Sequence, residues 1–294
     1  MNKIALSRLG RIAAGFRRAG LQPLFTALRN VLDAGFLLVN FPPLMADVDG
    51  VRLHGFLRHR SFLEHLAKGT YESASRAVFR TLLPPADIFL DAGAHIGLYS
   101  MLASRHGNSG LVVVSFEPDP YNLRAFRWNL RLNRCRNVAL VPAAVSDGAG
   151  SSRLLVSDGT IGSSLVLERT AIGDTHLLNV KTVSLDSYLK DYSPKSVLVK
   201  LDIEGAEMRA LQGMGSALRT AARIAILCEV NPEALGAGGK TPADLVSRLR
   251  SSGLDVFFIA EEAGRLIPAE GSLEAKGNLL AVRNWPIDAG AWRA

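Results

Sequence analysis

The feature that most constrains the fold of this chain is a regular alternation of short apolar runs with helix-like segments from Asp87 onward. Helices are predicted after Gly97 and at 121–132, 206–214 and 242–251. Apolar strands are predicted at 88–90, 111–116, 138–141, 196–201, 224–230, 254–259 and 279–282. Because crossover connections join strands that alternate with helices, the pattern predicts a doubly wound parallel sheet with helices on both faces.

The alternation is interrupted between Gly148 and Val183 by short segments that Gly and Ser separate. The pair Asp158-Gly159 in this span is typical of a hairpin turn, so an antiparallel insertion is expected there. The total of 294 residues, 48% of them hydrophobic and 21% charged, fits one main globular domain with appendages.

The basic character of the chain is confined to its N-terminus. The net charge is +7, but six basic residues precede the first acid, Asp33, and the remainder has 28 basic and 27 acidic residues. A nearly neutral main domain argues against a nucleic-acid partner. Apolar residues at helical spacing within residues 1–40 predict amphipathic helices that pack on the domain or, alternatively, contact an anionic membrane surface.

A glycine turn with the sequence DAGAHIG, residues 91–97, lies between a predicted strand and a predicted helix. Such a turn at the carboxyl end of a parallel strand borders the ligand crevice. Gly93 and Gly97 keep the backbone accessible there, and Asp91 adds a negative charge. That charge and the missing middle glycine of G-x-G-x-x-G argue against a pyrophosphate ligand, and the sequence has no P-loop signature.

A second carboxylate, Glu117, ends the next predicted strand. It follows the glycine turn by about twenty residues, where the acid of dinucleotide folds accepts hydrogen bonds from ribose hydroxyls. The crevice therefore favours a ligand that has a ribose and a positive or zwitterionic group but no pyrophosphate. S-adenosylmethionine has these features.

Six ordered blocks of this sequence resemble the FkbM family of class I S-adenosylmethionine-dependent methyltransferases. They read GTYE at 69–72, FLDAGAHIGLYS at 89–100, FEPDPYNLRAFRWNLRLN at 116–133, AAVSD at 143–147, VSLDSYL at 183–189 and VKLDIEGAEMRALQGM at 199–214. The resemblance implies an α/β, Rossmann-like fold with a doubly wound, mostly parallel sheet and an antiparallel edge strand. It divides the chain into a helical or irregular appendage, 1–68, and a methyltransferase domain, 69–294, with a β insertion at about 148–183.

The resemblance also implies which residues hold the cofactor. Asp91, Gly93 and Gly97 would shape the methionine pocket, and Glu117 would hold the ribose. His95 departs from the family, which often has Asn there; a turn role is favoured over a catalytic base because no partner acid is identifiable. The full set comprises Tyr71 and Glu72 from the N-terminal side, Ser146 and Asp147 near the adenine, and Asp91, Gly93, Ala94, His95, Gly97, Glu117, Pro118 and Asn122.

A third group of acids lies in the segment KLDIEGAE, where a predicted strand leads into a helix. Methylation of a hydroxyl requires its proton to leave as the oxygen attacks the methyl group in line, and a positioned carboxylate can accept that proton. Asp202 is the expected base and Glu204 the second candidate. Glu207 is expected to contact the substrate or, alternatively, to cap the helix. Asp202 and Glu204 could instead bind a divalent cation, but no third ligand is identifiable, so no obligatory metal is expected.

Glu229, in the segment LCEVNP, ends the following predicted strand and is expected to contact the substrate at the same rim. The adjoining Asn231-Pro232 is not the [DN]-P-P-[YF] signature of amino-group methyltransferases, because it lies one strand too late and Glu233 follows it. This favours O-methylation of a small molecule, a sugar or a glycolipid-type acceptor.

Two other functions remain open on the sequence. An RNA methyltransferase is disfavoured by the near-neutral main domain. A non-catalytic S-adenosylmethionine-binding module is disfavoured by acids at both the cofactor site and the transfer site. Cys135 and Cys228 belong to no C-x-x-C pair, and the N-terminal apolar stretches are interrupted by arginine or proline, so a cytoplasmic location is expected, with membrane association through the basic N-terminus as an alternative.

Overall fold

The computed structural model describes residues 44–157, 165, 175–190, 192, 194–269 and 276–286. The helices predicted within residues 1–40 lie outside these ranges. The strands are β1 (Leu44–Val48), β2 (Val51–Gly55), β3 (Ile88–Ala92), β4 (Val112–Phe116), β5 (Val138–Val141), β6 (Ala144–Val145), β7 (Gly150–Ser157), β8 (Thr175–Val183), β9 (Ser196–Leu201), β10 (Arg223–Val230), β11 (Asp255–Ala260), β12 (Arg265–Pro268) and β13 (Gly277–Arg283). The α-helices are α1 (Arg60–Lys68), α2 (Ser73–Leu82), α3 (Leu98–His106), α4 (Pro120–Leu132), α5 (Leu185–Leu189), α6 (Glu207–Gln212), α7 (Gly215–Thr220), α8 (Pro232–Ala237) and α9 (Pro242–Ser251).

The central element is an eight-stranded sheet with the order β12-β11-β13-β10-β9-β3-β4-β5. Strands β10, β9, β3, β4 and β5 pair in parallel. Strand β13 is antiparallel to both β10 and β11, and the edge strand β12 is antiparallel to β11. The doubly wound, mostly parallel sheet and its antiparallel edge strand are therefore confirmed.

Both faces of this sheet are covered, because side chains that alternate along its central strands enter two separate cores. Phe89 and Leu198 belong to the core that includes apolar residues of α1 to α4, whereas Leu90 and Val199 belong to the core beneath α5, α6, α7 and α9. Successive residues of a strand point to opposite faces, which explains this division. Burial on both faces also explains why β9 carries an almost continuous apolar run, Val197 to Leu201, that only Lys200 interrupts.

Local sequence signals explain where two of the surface helices begin. Asp119 caps α4 by accepting a hydrogen bond from the Tyr121 amide at 2.8 Å, and Pro120 occupies the first turn. Thr241 and Asp244 form a capping box at the start of α9, which also begins with proline. These caps satisfy amides that have no partner within the helix.

A β-hairpin formed by β1 and β2 precedes α1, and the sequence analysis did not predict it. Asn129 of α4 and Asn133, which caps the end of that helix, hold the second strand of the hairpin. Asn129 accepts from the His54 amide at 2.7 Å and donates to the carbonyls of His54 and Ile96, while Asn133 exchanges hydrogen bonds with the backbone of Arg52. The described part of the predicted appendage thus shares a core with the sheet, and the division at residue 69 stays a prediction.

A second small sheet lies within the span of the expected β insertion. Strands β7 and β8 pair antiparallel, and β6 joins the other side of β8. Leu154 of β7 packs with Ala144 of β6 in a small core of its own. This arrangement brings the insertion next to the carboxyl end of the main sheet, where it contributes to the cavity described below.

Among the described residues, no helix combines the length and the apolar character that crossing a bilayer would require.

Candidate functional site

A cavity lies at the carboxyl ends of β3, β4 and β9, where a parallel α/β sheet is expected to bind its ligand. The empty space in and around it is about 1090 Å³, a figure that includes the part open to solvent. Of the residues predicted for the site, the cavity wall contains Tyr71, Asp91, Gly93, Ala94, His95, Glu117, Pro118, Asn122, Asp202 and Glu204.

The glycine turn lies against the segment that follows β9. Gly93 has a φ of +81°, and a Cβ atom at this position would stand 1.9 Å from the carbonyl oxygen of Asp202. The amides of Gly93 and Ala94 both donate to the Phe116 carbonyl, and the Asp202 amide donates to the Ala92 carbonyl. Only glycine permits this approach, which fixes the end of β3 against the end of β9.

Asp91 lies under the turn and is almost fully buried. Its carboxylate accepts a hydrogen bond from the Ser100 hydroxyl, which also contacts the Ser115 hydroxyl at 2.7 Å. Burial raises the pKa of Asp91 to about 6, although the Ser100 hydrogen bond and the charge of Lys200 oppose the rise. Asp91 is therefore a carboxyl group held rigidly beside the cavity and mostly ionised at neutral pH.

Glu117 follows β4 with its carboxylate turned back toward the glycine turn. One oxygen accepts from the His95 amide and the other from the Asp119 amide, each at 2.8 Å. Burial, followed by the charge of Asp119, raises the pKa of Glu117 to about 8 despite these donors. Each carboxylate oxygen has a further lone pair, so a ligand with two adjacent hydroxyls can still bind this group.

His95 occupies the left-handed region, with a φ of +51°. Histidine and asparagine are both among the residues that tolerate this conformation, which accounts for histidine where the family often has asparagine. The ring packs edge-on against His59 and Phe62, at centroid distances of 5.1 and 4.9 Å. Burial lowers the pKa of His95 to about 4, so the imidazole is neutral at physiological pH.

A further part of the wall, next to His95, comes from the segment before α1, which the sequence analysis did not include in the site. His59 contacts the Asn122 side chain at 3.0 Å, and Arg58 donates to Asp119 at 2.9 Å. The Arg58 guanidinium also lies 5.3 Å from the centre of the Tyr121 ring. These contacts fix the first turn of α4 against the segment that follows the hairpin.

Tyr71 and Glu72 take different positions. Tyr71 lines the cavity and packs edge-on against Phe62. Glu72 lies behind it and accepts hydrogen bonds from the Tyr99 hydroxyl at 2.6 Å and from the Asn278 amide at 3.2 Å. Glu72 therefore connects α3 to β13 and is not among the residues of the cavity wall.

Lys200 is the main residue of the site that the sequence analysis missed. Its side chain is 2% exposed, and its ammonium group donates to Asp202 at 3.1 Å and lies 4.7 Å from the centre of the Tyr99 ring. Burial alone would raise the pKa of Asp202, but the charge and hydrogen bond of Lys200 outweigh it and the pKa is lowered. A single cation inside the apolar run of β9 was the available signal, because buried lysines are rare without a partner.

Glu204 and Glu229 stand beside Asp202. Glu204 has a φ of +52° and accepts from the Asn231 amide group at 3.1 Å. Glu229 lies near the end of β10 and pairs with Lys276 at 2.8 Å. Burial raises the pKa of Glu229 well above its ordinary value, and the charges of Asp202 and Glu204 raise it further.

Four further predicted residues lie outside the cavity wall. Glu207 is buried and accepts hydrogen bonds from the amides of Gly205 and Ile203, which is the helix-capping alternative. Gly97 begins α3, where a Cβ would stand 3.0 Å from Phe126. Ser146 and Asp147 hydrogen-bond each other just beyond Ala144 and Val145, which do line the cavity.

The cavity wall carries carboxylates from three neighbouring strands. Asp91 of β3 and Glu117, which follows β4, offer acceptors for hydroxyl or ammonium groups. Asp202 and Glu204, which follow β9, offer further carboxylates, and the buried ammonium of Lys200 pairs with Asp202. A ligand held by Glu117 and Asp91 could therefore present a reactive atom to a second molecule beside Asp202.

The sequence of this chain is similar to those of known methyltransferases. A model of the FkbM methyltransferase domain matches residues 91–256. The hexuronic acid methyltransferase AglP of Haloferax volcanii is 27% identical over 147 residues, which are 49% of this chain and 57% of that protein. Methyltransferase 1 of Beauveria bassiana is 28% identical over 149 residues, covering 44% of this chain and 59% of that protein. The matches thus span less than two thirds of either relative.

A solved precorrin-6y C5,15-methyltransferase from Geobacter metallireducens aligns with 70% of this chain and 84% of its own, with 17% identity and a TM-score of 0.39.

Proposed function

The chain belongs to the FkbM methyltransferase family, and we propose that it transfers the methyl group of S-adenosylmethionine to a hydroxyl group of a small molecule, a sugar or a glycolipid. The observation that carries this proposal is a single cavity whose wall contains Glu117, Asp91 and Asp202, at or just after the ends of three neighbouring parallel strands. The name of the Haloferax relative, a hexuronic acid methyltransferase, supports a sugar-type acceptor.

The charges of the cavity support S-adenosylmethionine over a dinucleotide. The two cations in its described wall are already paired, Arg58 with Asp119 and Lys200 with Asp202. A pyrophosphate bound against this described wall would therefore meet carboxylates instead of available cations. A ribose can donate both hydroxyls to Glu117, and the cationic methionine end of the cofactor is compatible with Asp91.

The acceptor would bind between the sulfonium methyl group and Asp202. In the reaction, the acceptor oxygen forms a bond to the methyl carbon as the carbon–sulfur bond breaks, which leaves S-adenosylhomocysteine. The hydroxyl proton passes to Asp202, whose ionised form Lys200 stabilises. Glu204 is the second candidate for this role, and the buried Glu207 serves as a helix cap in this proposal.

The acceptor class can be tested by mass spectrometry. The full chain is incubated with S-adenosylmethionine carrying a deuterated methyl group and with fractionated sugars, glycolipids and RNA. We expect the label in a methyl ether of a sugar or glycolipid fraction, and an Asp202→Asn protein should form this product far more slowly. Label in an amine or in RNA would contradict the proposal of O-methylation.

Cofactor binding should release a proton from Glu117. Because its pKa is raised to about 8, the empty protein holds this group largely protonated at neutral pH. Ribose hydroxyls donate to the ionised form, so affinity should rise with pH until Glu117 is ionised without ligand. We expect calorimetric titrations with S-adenosylhomocysteine to show tighter binding at pH ~8.5 than at ~6.5, with proton uptake by the buffer.

The matched variant for this prediction is Glu117→Gln, which keeps the shape of the side chain but cannot titrate. Its affinity should fall by roughly ten- to a hundredfold, the value of hydrogen bonds to a charged group, and should not vary with pH over this range. If the wild-type affinity were flat across the same interval, Glu117 would not be the ribose acceptor.

A further inference from the structure

Three carboxylates from two strand ends converge next to the cavity. Asp202 and Glu204 follow β9, and Glu229 lies near the end of β10. One oxygen from each side chain lies within 4.8 Å of the oxygens of the other two. This spacing lets a single small ion contact all three, and Asp202 and Glu204 themselves form part of the cavity wall.

One oxygen of this cluster lacks a donor. The Glu229 side chain is 7% exposed, and Lys276 engages its Oε1 atom. The other oxygen, Oε2, is buried with no hydrogen-bond partner among the described residues. A buried carboxylate oxygen in that position is costly unless a proton or a cation reaches it.

A second orphaned oxygen lies on the neighbouring strand and does not belong to the acidic cluster. Asn278 is directly opposite Glu229 in the antiparallel β10–β13 ladder, so both side chains lie on the same face of the sheet. The Asn278 amide group donates to Glu72, which orients its carbonyl oxygen. That oxygen is also buried and has no partner in the part of the chain that the structure describes.

From this geometry we propose that Asp202, Glu204 and Glu229 form a binding site for a divalent cation such as Mg²⁺ or Mn²⁺. Carboxylate and amide oxygens are the ligands that these hard cations prefer, and they retain open positions for water or substrate oxygens. When a cation displaces the proton of Glu229, the three carboxylates carry more negative charge than Lys200 and Lys276, the two lysines paired with the cluster, can balance. The site supplies the third oxygen ligand that the sequence could not identify.

The role of this cation rests on the proposed function. Its open positions would face the cavity, where it would bind the acceptor hydroxyl and lower its pKa before the proton passes to Asp202. An acceptor with two neighbouring oxygens, such as a sugar diol or a sugar with an adjacent carboxylate, could bind the cation through both. The cation would thereby fix which hydroxyl approaches the methyl group.

Binding of Mn²⁺ to the full chain tests the site by electron paramagnetic resonance of free and bound ion. We expect one ion to bind per chain, and Glu229→Gln to weaken this binding at least ~10-fold, since loss of an outer-shell partner alone costs ~10–100-fold. Glu233→Gln is the matched control, because Glu233 is exposed on α8, and it should bind like the wild type. No binding by the wild type at millimolar Mn²⁺, or equal binding by Glu229→Gln, would overturn the proposal and favour a proton shared between Glu229 and Asp202.

A second variant, which is expected to raise the affinity for Mn²⁺, tests the site even if Glu229→Gln does not fold. Lys276→Met removes an exposed ammonium that competes for Glu229, so Mn²⁺ should bind more tightly to it than to the wild type. Weaker binding by Lys276→Met would count against an ion at this cluster. S-adenosylhomocysteine is titrated separately without Mn²⁺, so a failure of the cofactor proposal is distinguished from a failure of the metal site.

Discussion

Asp202→Asn is expected to lower the single-turnover rate of methyl transfer by roughly 10²–10⁴-fold, the contribution of a positioned general base. The amide preserves the size of the side chain and can still accept the hydrogen bond of Lys200, but it cannot take up the acceptor proton. Because Asp202 follows β9, whereas the proposed ribose acceptor Glu117 follows β4 on the other side of β3, affinity for S-adenosylhomocysteine should change little. The rate is measured with saturating cofactor and the acceptor found by mass spectrometry.

The control for this variant is Asp255→Asn. Asp255 is exposed at the start of β11 and takes no part in the site, so the same chemical change should leave the rate unaltered. A near-normal rate in Asp202→Asn would remove Asp202 from the chemistry. In that event Glu204→Gln becomes the decisive variant, because Glu204 is the acid of the described cavity wall that lies beside Asp202.

Gly93→Ala is expected to disrupt both stability and cofactor binding. The added methyl group would overlap the Asp202 carbonyl oxygen, only 1.9 Å away, and the φ of +81° disfavours any residue with a Cβ. The backbone conformation costs ~1–2 kcal/mol and overpacking ~1–3 kcal/mol, so the total loss is roughly 2–5 kcal/mol. For a domain of this size the melting temperature should fall by about 5–15 °C.

Gly69→Ala separates the two causes of that loss. Gly69 follows α1 with a φ of +73°, but no heavy atom of the described chain lies within 4 Å of the position a Cβ would take. Gly69→Ala should therefore lose only the stability that the left-handed backbone conformation costs, about 1 kcal/mol, and should bind S-adenosylhomocysteine normally. Equal melting temperatures and equal affinities for the two variants would show that Gly93 does not hold the two strand ends together.

Much of the fold could be predicted because its signals are local. The runs at 88–90 and 196–201 are short, apolar and flanked by helical patterns, and they form β3 and β9 in the centre of the parallel sheet. The β1–β2 hairpin could not be predicted in this way. Its second strand depends on Asn129 and Asn133, which lie more than seventy residues away in sequence and contact its backbone.

The sequence predicted which strand ends form the candidate site. Asp91, Glu117 and Asp202 each lie at the end of a buried strand, and the parallel topology brings those ends to one edge of the sheet. Side-chain direction was not predictable from position alone. Glu207 is close in sequence to Asp202, yet its carboxylate turns back to the Gly205 amide.

The charge interactions between residues of different strands also could not be predicted from the sequence. The buried ammonium of Lys200 is stabilised by carboxylates from several elements, and the pKa of Glu229 is raised by burial and by the charge of Asp202. Asp202 is only two residues from Lys200 in the sequence, but Glu72 and Glu229 come near Lys200, and Asp202 near Glu229, only in the folded sheet. The third ligand of the proposed cation site was hidden for the same reason.

The central claim is that this cavity binds S-adenosylmethionine through Glu117 and not a dinucleotide. Calorimetric titration of the full chain with S-adenosylhomocysteine and, separately, with NAD tests it most directly. Binding of one S-adenosylhomocysteine per chain, with no detectable heat from NAD at the same concentrations, is the predicted result. Binding of NAD without binding of S-adenosylhomocysteine would contradict the account.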